Sequence, residues 1–135
     1  MQKTFYKSLS ISFLITTIWT LIGFFIYFYE EPGLFHGLKT LLYFVWSCWF
    51  SSGLGILIIL YCLLKPQKRF LLKLGLLAIV ITLNAFYSLL YLLLIILGIV
   101  KNYSFFNGFL WGNLIVAIIA VIVKRKLGKK QIIEN

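Results

Sequence analysis

The alternation of apolar and polar positions divides the chain into four charge-free apolar runs, at residues 8–29, 40–64, 74–100 and 102–123. An α-helix rising about 1.5 Å per residue needs about 20 residues to cross a hydrocarbon core, and each run is longer than that. None shows the period-two alternation of a half-buried strand. The pattern predicts an all-α polytopic membrane protein, with four transmembrane helices in an antiparallel up-down bundle. The two central runs exceed the minimum, which implies tilt or extension beyond the lipid.

The breaks agree with this division. Glu30, Glu31, Pro32 and Gly33 close the first run, because proline lacks an N–H and glycine accepts a turn. Lys65, Pro66, Gln67, Lys68 and Arg69 make the second turn. At Lys101 and Asn102 the third and fourth runs almost touch, which predicts a tight antiparallel hairpin. With no linker or low-complexity tract between the runs, residues 1–135 read as one transmembrane domain with no soluble domain. Residues 34–38 (LFHGL) and 105–109 (FFNGF) match loosely, each ahead of a downward helix. Such a match arises by chance in an aromatic-rich chain, or from a parallel duplication about an axis along the membrane normal.

Composition sharpens the class. The chain is 62% hydrophobic and 12% charged, with a mean hydropathy of +1.03, against about 25% charged residues in soluble domains. Its net charge of +10 would suit nucleic acid elsewhere. Here the cations are confined to short segments between apolar runs, which points to topology and argues against a nucleic-acid partner. Lys3, Lys7, Lys65, Lys68, Arg69, Lys73, Lys124, Arg125, Lys126, Lys129 and Lys130 fall on one side, and only Lys39 and Lys101 on the other. The positive-inside rule then predicts both termini in the cytoplasm, N-in and C-in, with the chain in a cytoplasmic (inner) membrane. The first run is too long for a signal-peptide core and precedes no small-residue cleavage site, so it is expected to be retained. The tail residues Lys124, Arg125, Lys126, Lys129 and Lys130 are expected to anchor on anionic lipid headgroups.

Polar residues inside the runs are the remaining chemistry. Counted from the basic side, Thr20, Ser52, Asn84 and Asn113 lie roughly 15 to 18 Å deep, one on each predicted helix. Lone polar groups facing lipid are costly, so these should turn inward and meet. Ser51, Tyr87, Ser88 and Tyr91 share faces with them, as Ser12, Thr16, Gly23 and Tyr27 do with Thr20. Together Thr20, Ser51, Ser52, Asn84, Tyr87, Ser88, Tyr91 and Asn113 form a candidate mid-height polar layer. Ser47, Ser51 and Gly55 repeat every four residues, as do Gly108 and Gly112. Such small-residue stripes allow close helix packing, which makes these five positions candidate seams.

Several chemistries are disfavoured. Cys48 and Cys62 lie about 21 Å apart along one predicted helix, too far for a disulfide. With one histidine and no carboxylate inside any run, no metal site or cofactor is expected. The same lack leaves no acid–base pair, nucleophile dyad or buried proton-carrying carboxylate, so an enzyme or proton-coupled carrier is not expected. Two classes remain. One is a non-enzymatic membrane component acting through helix–helix association, with itself or with another membrane protein. The other is an oligomeric pore or carrier using the mid-height polar layer, either holin-like, an effector channel, or a transporter of neutral or weakly polar solutes.

Overall fold

Where no water competes, an apolar run must satisfy its backbone hydrogen bonds within itself. The computed structural model accordingly contains four helices: α1 (Gln2–Tyr29), α2 (Leu38–Leu64), α3 (Phe70–Ile96) and α4 (Ser104–Glu134). It describes residues 2–64, 68–99 and 104–134. All four helices are long and apolar enough to span a membrane. Lys65, Pro66, Gln67, Val100, Lys101 and Asn102 lie outside the described residues, and with them most of the second turn and the α3–α4 turn.

Several helix limits differ from the apolar runs, each for a local reason. At the start of α2, Glu30 accepts N–H bonds from Gly37 (2.9 Å) and Lys39 (3.2 Å). A carboxylate there satisfies N–H groups that the helix leaves free and complements its dipole. Glu30 therefore anchors the start of α2. α3 starts at Phe70, ahead of the apolar run, and stops at Ile96 because Gly98 takes a left-handed conformation (φ +71°). The N–H groups of Gly98 and Ile99 donate to the carbonyls of Ile95 (3.0 Å) and Leu94 (3.1 Å), the paired bonds of a Schellman ending. α4 continues as helix through the basic tail to Glu134. The two loosely matching segments differ in context: 34–38 forms a turn around Gly37 (φ +88°), whereas 105–109 lies within α4.

Side-chain contacts fix the register. Gly23 lies against Tyr43, and Cys62 meets Lys73, so α2 is antiparallel to α1 and to α3. α1 and α3 run parallel, with Ser8 beside Gly75 and Phe13 edge-on to Phe86 (5.9 Å). α2 and α4 also run parallel, through Trp49 with Phe109, Ser51 with Asn113, and Gly55 with Val116. α3 packs on all three other helices, most extensively on α4 and α1, while α1 and α2 share the thinnest contact.

The apolar core lies between α2, α3 and α4, toward the basic end. It comprises Ile59, Cys62, Leu77, Val80, Val116, Ala120, Val123 and Leu127. α1 contributes none of these. It buries Phe5, Ser12, Thr16, Thr20 and Gly23 and leaves Ile18, Phe25 and Phe28 exposed. Small and polar groups inside with large apolar groups outside is the packing of helices whose surroundings are as apolar as their side chains.

Candidate functional site

Two serines and a glycine on α2 make room at mid-height for two asparagines from the neighbouring helices. Ser51 Oγ lies 2.7 Å from Asn113 Oδ1, and Ser52 Oγ donates to the same oxygen at 3.1 Å. Ser51 has one hydroxyl proton, with the Cys48 carbonyl at 2.9 Å as its other acceptor. Asn113 Nδ2 donates to the Phe109 carbonyl (2.9 Å). Asn84 Nδ2 donates both to the Ser51 carbonyl (3.1 Å) and to the Val80 carbonyl (3.0 Å). Its Oδ1 is buried and has no hydrogen-bond partner among the described residues. One turn toward the opposite end, Ser88 Oγ donates to the Leu110 carbonyl at 3.2 Å. Asn84, Asn113, Ser51 and Ser88 are all within 2% of full burial.

The fourth helix does not enter this cluster. Thr20 Oγ1 donates to the Thr16 carbonyl of its own helix at 2.9 Å, so the single layer drawn from all four helices is corrected to a three-helix cluster. The reason is local: a threonine hydroxyl can bond back to the carbonyl four residues earlier, which removes its need for an asparagine partner. Tyr87, also buried, turns toward Thr20 and Ser47 instead of the asparagines. Tyr91 is half-buried one turn farther along α3.

α1 and α2 are held together by a second group of polar side chains. Trp19 Nε1 donates to Ser47 Oγ (2.9 Å), Ser47 Oγ lies 2.8 Å from the Tyr43 carbonyl, and Tyr43 Oη donates to the Trp19 carbonyl (2.8 Å). The Trp19 and Tyr43 rings stack at 5.2 Å. Gly23 permits this, because a Cβ there would sit 2.9 Å from the Tyr43 ring. Beside the group lies a cavity of about 400 Å³, walled by Thr16, Ser47, Ser51 and Tyr87 among others. Sequence reasoning missed Trp19 and Tyr43. The available signal was Gly23, one turn after a tryptophan on an otherwise bulky helix.

The small-residue stripes divide. Ser47, Ser51 and Gly55 are buried, and a Cβ at Gly55 would meet Val116 Cγ1 at 2.6 Å and Asn84 Nδ2 at 3.0 Å. Gly108 is exposed and Gly112 half-buried, and a Cβ added at either would touch nothing within 4 Å. Among the described residues they form no seam.

At the basic end, Arg125, Lys126, Lys129 and Lys130 project outward from α4 beside exposed Lys3, Lys7, Lys68 and Arg69. Lys124 differs: its Nζ stands 3.3 Å above the Phe5 ring, tying the end of α4 to the start of α1. Lys73 differs more. The sequence groups it with the turn cations, yet it is fully buried, on the same face of α3 as Leu77, Val80 and Asn84. Its Nζ donates to the Cys62 carbonyl (3.2 Å) and lies 5.7 Å from the Tyr61 ring. Cys62 is in the last turn of α2, where carbonyls lack partners within the helix and the dipole is negative. Lys73 thus caps α2 from within the bundle.

Among the described residues no three His, Cys, Asp or Glu side chains gather as metal ligands. Cys48 and Cys62 are free thiols. Compared with known proteins, the chain matches no family, no curated protein and no solved structure.

Proposed function

We propose that this chain is a non-enzymatic integral membrane protein that works by associating with other membrane-embedded chains, its own copies or a partner. In this reading both termini face the cytoplasm, and the basic end rests on anionic headgroups. One observation carries it: the hydroxyl and amide donors that could line a solute path already bond to one another. Ser51, Ser52, Asn84 and Asn113 bridge three helices. Below them Leu77, Val80, Val116 and Ala120 pack tightly toward the basic end. A bundle closed in this way offers its outer faces as its working surface. Mild-detergent purification tests the reading. A co-purifying partner, or a stable homo-oligomer inert in liposomes, supports it, and a monomer without partners counts against it.

The second reading is an oligomeric pore or carrier for neutral or weakly polar solutes. Asn84 Oδ1 favours it, as a buried acceptor that no group among the described residues satisfies. Solute flux through liposomes that stops in Asn84→Leu, with the fold intact, would select this reading.

A further inference from the structure

The cavity between α1 and α2 runs from the bundle surface to its interior. Its outer walls are exposed: Trp46 (73%), Phe50 (68%) and Ile15 (58%). Its inner walls are Thr16, Ser51 and Tyr87, each at least 96% buried. Among the described residues no charged side chain lines it. The polar groups in its wall are already engaged. Thr16 Oγ1 donates to the Ser12 carbonyl, and the Trp19, Tyr43 and Ser47 donors act on one another's helices. Such a wall offers little to water, which needs two to four polar partners to remain in a cavity. It suits carbon and aromatic contact, which is how largely apolar ligand pockets bind.

Depth identifies the occupant. Ser51 and Thr16 stand near the middle of their helices, so the mouth opens at hydrocarbon depth, where the surrounding solvent is lipid chains. We infer that this cavity is a lateral binding site for the chain-terminal part of a membrane lipid tail, inserted between Trp46, Phe50 and Ile15. The inference rests on the membrane-embedded reading given above. The thin α1–α2 contact agrees with it: the pair meets at the Trp19–Tyr43–Ser47 group and the Phe24–Phe44 rings, which leaves room for a guest beside Thr16 and Ser51. The groove between α1 and α3 along Phe13, Phe86 and Leu89 is more superficial: of its described walls Thr82 alone is buried, against Thr16, Ser47, Ser51 and Tyr87 in the α1–α2 cavity.

The test is photolabelling of the full chain in nanodiscs, using phosphatidylcholine with a diazirine near the end of one acyl chain. Adducts are mapped by mass spectrometry as the probe's mole fraction rises. A site gives labelling of Thr16, Trp46 and Phe50 that saturates, while exposed Trp111 and Ile115, at mid-height on α4, label in simple proportion to probe. Leu83→Trp fills the inner cavity, and Ile15→Trp, at the exposed mouth, blocks it without touching the core. Each should abolish the saturable component and spare Trp111 and Ile115. Labelling of the cavity in proportion to probe, or unchanged saturation in both variants, overturns the site and leaves the membrane reading standing. Cross-links from the cavity to a second copy in place of lipid also overturn it. Absence of label at Trp111 and Ile115 overturns both.

Discussion

Ser51 and Asn113 stand 62 residues apart in the chain and meet at 2.7 Å in the interior. The bond joins two parallel helices, so no local turn can enforce it. Its strength is limited by what each partner does without the other. Ser51 has the Cys48 carbonyl at 2.9 Å as a fallback acceptor, and Asn113 retains Ser52 at 3.1 Å. A double-mutant cycle with Ser51→Ala and Asn113→Ala should therefore give a coupling near the membrane-bundle average of about 0.6 kcal/mol, below about 1.7. Thermal unfolding in detergent measures it. A coupling indistinguishable from zero would show that the pair is in contact without stabilising the bundle.

The glycines should separate into two kinds. Gly55→Ala places a methyl 2.6 Å from Val116 Cγ1 and 3.2 Å from Val80 Cγ1. Both neighbours are β-branched and stiff at χ1, so they yield poorly. Overpacking of this type costs about 1–3 kcal/mol. Gly53→Ala and Gly112→Ala meet nothing within 4 Å and should leave the melting temperature of the monomeric bundle unchanged or higher. Equal tolerance at all three positions would contradict the seam at Gly55.

These contrasts show what the sequence makes legible. Helix existence follows from run length alone, because a long apolar run has few other ways to satisfy its backbone. The α3 terminus is also readable: Gly98 after Leu97 is the residue that a Schellman ending favours, although the run of apolar letters continues to Val100. Small-residue spacing shows that a close approach is possible, but not which face the bundle uses. Ser47, Ser51 and Gly55 turn inward, while Gly108 and Gly112, with the same spacing, meet no described neighbour. Depth counting brings Asn84 and Asn113 to one level, yet it cannot see that Thr20 satisfies itself on Thr16. Lys73 was readable in part: it lies on the face of Leu77, Val80 and Asn84, and only its neighbouring charges suggest a surface position.

Orientation is checked directly by reporter fusions. A fusion at the C-terminus and one within residues 30–37 should report opposite sides of the membrane, the former cytoplasmic, because the cations cluster at the end shared by both termini. Both fusions on one side would remove the four-span topology, and a periplasmic C-terminus would reverse its orientation.

Lys73 gives a test with a less obvious sign. Its ammonium is fully buried, with the Cys62 carbonyl and the Tyr61 ring beside it. Burying an ion costs several kcal/mol even after relaxation. Against this, a hydrogen bond to a charged group returns about 1.5–3 kcal/mol, and a helix C-terminus adds up to about 2 in a buried setting. The balance is close to even or unfavourable, so an uncharged side chain of similar length should be tolerated. Lys73→Met is expected to leave unfolding stability unchanged or to raise it, since it retains the packing of the stem beside Cys62. Lys73→Ala, which removes the stem as well, should cost about 2–5 kcal/mol through the space it leaves. Paired melting curves of the two variants in one detergent make the comparison. A loss for Lys73→Met as large as that for Lys73→Ala would mean that the ammonium's bond to the Cys62 carbonyl outweighs the cost of burying the charge.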